Sequence, residues 1–213
     1  MESAIHIFSK TSYEGASLRD IAAQAGVPLS TIHMYFGSKY ELYTAVERKA
    51  WDEVDNERST YLNALLAKYG DRPAPLAELI YGLALPIVRR ALGQSEHDRE
   101  RIFLIRSRVS HRMPGHPVNL LDVADRAMVH WIDAMAAACP TLARTDVVWA
   151  FSFVVGAIYS WQLVDHRYDR LLGPDIERTV AGITGDIVAF GCAGVQAMID
   201  RRLDAAAEQA PQD

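Results

Sequence analysis

A chain of 213 residues, 50% of them hydrophobic, can bury a sizeable core in one large or two small domains, which excludes a disordered protein. Its 22 Lys and Arg against 27 Asp and Glu leave a net charge of −5, which excludes indiscriminate coating of nucleic acid but not a local DNA-binding module. Cys139 and Cys192 lie far apart in apolar helical patterns and read as buried thiols rather than a disulfide, consistent with a reducing cytoplasm.

Nearly every segment carries helical periodicity, and there is no convincing strand run. The first helix spans Met1 to Thr11, with Ala4, Ile5 and Phe8 on one face, and Gly15 breaks the chain. Ser17-Leu18-Arg19-Asp20 has the form of a capping box, in which Ser17 caps the Asp20 amide and Asp20 reaches back. The helix it opens ends at Gly26, a residue suited to the left-handed conformation. After Val27, Pro28 fits the start of a short helix, about Leu29 to Phe36, ended by Gly37. A second capping box, Ser38-Lys39-Tyr40-Glu41, opens a helix running to about Tyr69, on the order of 45 Å long and able to connect two domains.

Beyond the break at Gly70–Pro75, helices are expected over Pro75–Leu92, kinked at Pro86, and over Glu96–His111. Three more follow: Pro117–Ala138, one capped by Thr145 or Asp146 and reaching about Arg167, and one from Asp175 to about Ala207. The longest apolar stretch is expected at Trp149 to Val164, which is interrupted by Ser152, Ser160 and Gln162 and falls short of the ~20 residues a bilayer needs. Neither a secretory signal nor a membrane partner is expected.

The second and third helices, joined through Gly26-Val27-Pro28, have helix-turn-helix spacing, although tight glycine turns also join helices in ordinary small bundles. On the short helix Ile32 and Phe36 point to the core. Ser30, His33 and Met34 share another face, flanked by Thr31 and Tyr35. Short donors and acceptors beside rings suit phosphates, base edges and thymine methyls.

The run Ala4-Ile5-His6-Ile7-Phe8, then Gly15 to Ala22, Gly26-Val27, Thr31-Ile32, Tyr35-Phe36, Ser38-Lys39 and Leu42 resembles the N-terminal domain of TetR/AcrR-type transcriptional regulators over about 45 residues. The helices counted along the chain make an all-α protein of about nine helices, and the resemblance implies how they divide. A three-helix helix-turn-helix DNA-binding domain (1–45) would precede a helical ligand-binding and dimerisation domain (46–213). It implies that Ser17 touches phosphate, Arg19 a base edge or phosphate, Leu29, Ser30 and His33 the bases, and Thr31, Tyr35 and Lys39 the DNA backbone. His33 replaces a usual Tyr, while Pro28 and Leu29 replace commonly polar residues, which implies an operator read with more apolar contact. Family members usually carry another turn or two and a basic arm before the first helix. Over residues 1–50, Lys10, Arg19, Lys39, Arg48 and Lys49 are balanced by Glu2, Glu14, Asp20, Glu41 and Glu47. Native residues are therefore expected to precede Met1.

The last two helices mix bulky apolar residues with Gly156, Ala157, Ser160, Gly182, Gly185, Gly191 and Gly194, a pattern that suggests close helix approach. In the resembled family these helices pair across a two-fold axis, implying a homodimer on a double-stranded palindromic operator. Tyr81, Phe103, Arg106, Arg108, His111, Trp131, Trp149, Phe153, Tyr159 and Trp161 are candidates to line an effector pocket, or are plain core and surface. Arg106 needs an anion if buried. His111 and His116 fall short of a metal site, and Asp165-His166-Arg167 reads as a solvated helix end. No GxSxG, P-loop, GxGxxG or di-iron pattern appears, so no enzyme, cofactor or metal is expected. The expected function is a cytoplasmic repressor released by a small apolar or amphipathic effector. The alternative is a dimeric helical binder of small molecules with weakened or lost DNA binding.

Overall fold

The computed structural model describes residues 1–110, 121–160, 171 and 178–209, without the side chains of 106–110, 121–126 and 205–209. Among these are nine helices and no strand: α1 (Glu2–Gly15), α2 (Leu18–Ala25), α3 (Leu29–Phe36), α4 (Lys39–Tyr69), α5 (Leu76–Leu92), α6 (Glu96–Ser110), α7 (Leu121–Ala138), α8 (Arg144–Ser160) and α9 (Val180–Gln209). Packing groups them into two compact units, Met1–Asn56 with Gly93–Pro114, and Glu57–Leu92 with Gly115–Asp213.

In the first unit α1 packs on α2 and on α6, and α2 on α3. Ala4, Ile5 and Phe8 of α1, Ile21 and Ala22 of α2, Ile32 of α3, and Leu42, Val46, Ala50 and Val54 of α4 are buried, as the helical spacing of these residues requires. Phe8 meets Tyr43 edge-on with ring centroids 4.9 Å apart, and Tyr13 meets Tyr43 at 5.0 Å. The first helix continues past Thr11 through a break at Ser12, whose φ of 60° and ψ of −179° suit glycine. Ser12→Gly is therefore expected to raise stability by about 1 kcal/mol, read from urea unfolding midpoints at unchanged slope.

One buried cation ties α6 into this unit. Arg101, 2% exposed, donates from Nε to Glu53 at 2.8 Å and from Nη2 to Glu2 at 2.9 Å. Glu2 also accepts from Lys49 at 2.6 Å, and the bonds from Lys49 and Arg101 hold its carboxyl down at about 2, against an ordinary 4.5. A depressed carboxyl stabilises the fold above its ordinary value and loses that contribution as pH falls toward the depressed one. The difference in unfolding free energy between wild type and Glu2→Gln is thus expected to be flat at neutral pH and to vanish as pH falls from 4.5 toward about 2. Denaturant titrations at a series of pH values would check it.

In the second unit α5 is the central helix, packed on α9, α8 and α7. Its Leu79, Ile80, Gly82, Leu83, Ala84, Ile87 and Val88 are buried, and it runs through Pro86 as a single helix. Beside the proline Arg58, 7% exposed, donates from Nε and Nη2 to the Leu83 carbonyl at 3.0 and 2.6 Å. Close packing explains two glycines here: a Cβ on Gly82 would sit 2.2 Å from the Tyr61 ring, and one on Gly191 2.9 Å from Ile80 and 3.3 Å from Val154.

Three details differ from the sequence reading. The Ser17 hydroxyl accepts from the Arg19 amide at 3.1 Å rather than from that of Asp20. Helix α8 begins at Arg144, so Asp146 lies inside its first turn, where its buried carboxylate accepts from Arg202 of α9 at 2.5 Å instead of capping. Helix α9 starts at Val180, where the Thr179 hydroxyl takes the Gly182 amide at 3.0 Å. Both cysteines are free thiols, with burial pushing their pKa up.

Candidate nucleic-acid interface

The turn between α2 and α3 is built by Gly26 in the left-handed conformation (φ 66°, ψ 31°). The Val27 amide bonds back to Ala22 at 3.0 Å, closing α2 in the way glycine at this position allows. Pro28, extended at φ −60° and ψ 145°, is the N-cap of α3 rather than its first helical residue. At the far end the Ser38–Glu41 capping box forms in full: the Glu41 amide reaches the Ser38 hydroxyl at 3.2 Å, and the Glu41 carboxylate accepts from the Ser38 amide at 2.9 Å.

Between these fixed ends α3 is two-faced. Ile32 is buried and Phe36 half-buried. Ser30 and His33 are exposed, and Met34 and Tyr35 are 72% and 73% exposed. The exposed face leaves Ser30, His33, Met34 and Tyr35 accessible to a partner, as a helix entering a DNA groove requires. Leu29 and Thr31 are half-buried at the edge of this face and Pro28 is exposed.

His33 has a defined donor side. Its Nδ1 lies 2.9 Å from the Gly37 carbonyl, and a carbonyl only accepts, so Nδ1 is the donor of this contact and Nε2 is left for another partner. Lys39 is held where α4 begins: Nζ donates to the Glu14 carbonyl at 3.3 Å and lies 4.7 Å from the centre of the Tyr13 ring. Ser17 is half-buried at the start of α2, and Arg19 beside it is exposed with no ion pair among the described residues. Lys10 and Lys49, by contrast, are in ion pairs with Glu96 and Glu2.

The effector candidates scatter. Trp131 and Tyr159 are buried at 3% and 7% exposure, while Tyr81 is 39% exposed. These three gather around the second half of α4: the Tyr61 and Tyr81 rings are 6.2 Å apart, Trp131 and Tyr61 both crowd Gly82, and the Arg58 guanidinium lies 5.9 Å from the Tyr159 ring. Arg58 itself escaped the sequence reading because it sits in a polar-looking run, Asn56-Glu57-Arg58-Ser59-Thr60. Phe103 is half-buried on α6, in the other unit. Trp149 and Phe153 are each 61% exposed and stack at 6.1 Å on the outer face of α8. The side chains of Arg106 and Arg108, and residues His111, His116, Trp161 and 165–167, lie outside the described residues.

That outer face continues onto α9. A groove of about 440 Å³ between α8 and α9 is lined by Phe153, Val154, Phe190, Val195, Met198 and Arg201, among others. Phe190 and Leu203 are 69% and 52% exposed, and Cβ positions on Gly156, Gly185 and Gly194 would meet no atom of the described residues within 4 Å. The stretch Val180–Asp204 is by length and composition apolar enough to cross a membrane, with mean hydropathy 1.4, a longer apolar run than Trp149–Val164.

A three-helix unit that exposes the second helix of a tight pair, followed by a helical domain, defines the class of helix-turn-helix transcriptional regulators. The model of bacterial regulatory proteins of the tetR family matches residues 1–46, and that of the tetracyclin repressor-like C-terminal domain matches 83–194. The chain belongs to the TetR family. Among solved structures, a TetR-like transcriptional regulator from Rhodococcus sp. RHA1 is 19% identical over 92% of each chain, with a TM-score of 0.55. The superantigen PfiT is 19% identical over 89% of this chain and 92% of its own, at 0.61. The regulator FadR from Bacillus subtilis, in complex with stearoyl-CoA, is 12% identical over 89% and 94%, at 0.55. At such identities these similarities speak to fold. No curated protein matches the sequence. The family makes the chain a DNA-binding regulator with a ligand-binding domain, and points to no catalytic activity.

Proposed function

We propose that the chain is a cytoplasmic repressor that dimerises through α8 and α9, presents two α3 helices to a palindromic operator, and releases it when a small apolar or amphipathic effector binds the second domain. The observation that carries this reading is the α3 surface: Ser30, His33, Met34 and Tyr35 exposed on a helix anchored by Ile32. Ser17 and Arg19 would meet phosphate beside α2, Thr31, Tyr35 and Lys39 the flanking backbone, and Leu29 and Pro28 the apolar floor of the groove. The exposed aromatics and outward glycines of α8 and α9 support the dimer, and we assign Trp149 and Phe153 to that face. Tyr81, Trp131 and Tyr159 are the retained pocket candidates. An amphipathic effector fits their mixture of rings with the Arg58 cation, and a similar fold carries stearoyl-CoA in FadR. Because α4 supplies residues to both units, it is the element through which effector binding would alter the fit of α3 to DNA.

Selection of genomic fragments by the purified protein at two salt concentrations tests the proposal. Enrichment of a palindrome with half-sites about one DNA turn apart and a steep salt dependence is expected. Absence of enrichment at low salt would favour the second reading, a ligand-binding dimer without DNA function, to which the paired Lys10 and Lys49 lend support.

Base and backbone roles separate by mutation. In its neutral form His33 offers Nε2 as an acceptor, and it should then read an exocyclic amine, the N6 of adenine or the N4 of cytosine. His33→Ala is expected to cost about 1–3 kcal/mol at one base position, whereas Lys39→Ala should weaken all operator variants alike and flatten the salt dependence. Affinities for a panel of single-base operator variants would show it; equal effects of both substitutions on every variant would refute the division.

A further inference from the structure

Where α6 packs on α1, three groups of metal-binding chemistry converge. His6 Nδ1 lies 2.6 Å from Glu100 Oε1 and 3.7 Å from Glu96 Oε1. One donor atom from each of the three residues lies within 4.8 Å of the other two. Glu96 and Glu100 are four apart on α6, so one helix face presents both carboxylates, and α1 brings the imidazole from 94 residues away. Exposure is graded across the cluster: 11% for the Glu100 side chain, 37% for His6 and 56% for Glu96. One side is anchored in the protein and the other opens to solvent, where water can complete a coordination shell.

Lys10, one turn beyond His6 on α1, places Nζ 3.0 Å from Glu96 Oε1, and Arg99 adds a second positive charge near that carboxylate.

We infer that His6, Glu96 and Glu100 form a binding site for a divalent transition-metal ion, with Zn²⁺ the ion that best suits one imidazole and two carboxylates. Bonds of about 2.0–2.2 Å in a tetrahedral arrangement set donor atoms about 3.4 Å apart. The 2.6 Å separation of His6 and Glu100 must open by less than an ångström, a small rotation of either side chain, and the 3.7 Å separation of His6 and Glu96 must close slightly, which the exposed Glu96 can absorb. Lys10, 54% exposed, is free to swing into solvent. Mg²⁺ and Ca²⁺ fit poorly, since a nitrogen donor replaces one of the oxygens they require. A bound ion would cross-link α6 to α1, and α1 packs on α2, which holds α3. The site therefore lies inside the unit that presents the recognition surface, and its existence does not depend on DNA binding.

The test uses the full chain, tag-free and stripped of metal with a chelator, titrated with Zn²⁺ by calorimetry and followed by thermal unfolding. Uptake of about one ion per chain with a rise in melting temperature is expected. His6→Gln and Glu100→Gln should each weaken binding about tenfold or more and abolish the rise. A Cys139→Ser/Cys192→Ser protein should bind as wild type does, separating the site from the thiols. Failure of the wild type to take up a stoichiometric ion, or binding that survives both the His6 and Glu100 substitutions, would overturn the proposal. Should either variant melt without metal far below the wild type, Glu96→Gln, at an exposed side chain, decides the same question in an intact fold.

Discussion

Phe190→Glu is expected to yield a folded protomer that no longer self-associates and has lost operator binding. Phe190 is 69% exposed on α9 beside the groove that Phe153, Val154 and Met198 line, so the substitution removes little from the core of the single chain. In a two-fold interface the same residue is used twice. A buried aromatic anchor is commonly worth about 2 kcal/mol or more, and a carboxylate left in its place without a partner adds a desolvation cost. Two copies bring the loss to at least about 4 kcal/mol, roughly a thousandfold in dimer affinity. A lone protomer then has one α3 for one half-site. Sedimentation velocity, melting temperature and operator binding on the same sample read the three consequences separately. A wild-type protein that is monomeric at micromolar concentration, or a Phe190→Glu protein that stays dimeric, would remove α9 from the interface. If the variant instead melts far below the wild type, Phe190 serves the protomer's own fold.

The first half of the molecule was legible because its signals are local. Ser38 to Glu41 is a capping box in sequence and in hydrogen bonds, Gly26 ends α2 in the left-handed conformation, and Ile32 alone is buried on α3. The family resemblance then gave those helices their roles. Partners distant in sequence were not legible. Nothing in the pattern of α6 shows that it packs on α1, because the contact joins residues 94 apart. Hydropathy gives no sign that Arg58 and Arg101 are buried, yet a backbone carbonyl in one case and two carboxylates in the other make their burial tolerable. Glycines on α8 and α9 suggested close helix approach, and Gly191 meets it within the chain, whereas Gly156, Gly185 and Gly194 meet nothing among the described residues. Sequence alone could not separate a glycine that admits a neighbouring helix from one that faces outward, because both need only a missing Cβ. Thr179 shows the same limit at short range. As the cap of α9 it places the helix start at Val180, while the turn signal at Gly173-Pro174 pointed to Asp175.

Arg101→Ala is expected to lower the stability of the protein by about 3 kcal/mol, the lower end of the range for breaking a buried ion pair. The lower end applies because the two carboxylates are not sealed: Glu53 is 27% and Glu2 62% exposed, so both can rehydrate once the guanidinium is gone. Burial lowers the pKa of Arg101, but the bonds to Glu53 and Glu2 outweigh it and the net shift is upward, which marks those bonds as the dominant interaction. Part of the cost is packing, since the long stem of Arg101 is 2% exposed and alanine would leave a cavity. Arg101→Met separates the two contributions: it keeps most of the stem's volume and removes the charge, so it breaks the same ion pairs and is expected to cost about 1 kcal/mol less than alanine, the difference being the packing part. Glu2 would retain only Lys49 in either variant, so the acid limb of the stability curve should shift to higher pH in both. Urea unfolding of the three proteins at neutral and acid pH makes the comparison. If alanine and methionine cost the same at neutral pH, the stem's packing contributes nothing. If neither moves the acid limb, the link between α6 and Glu2 is not formed in solution.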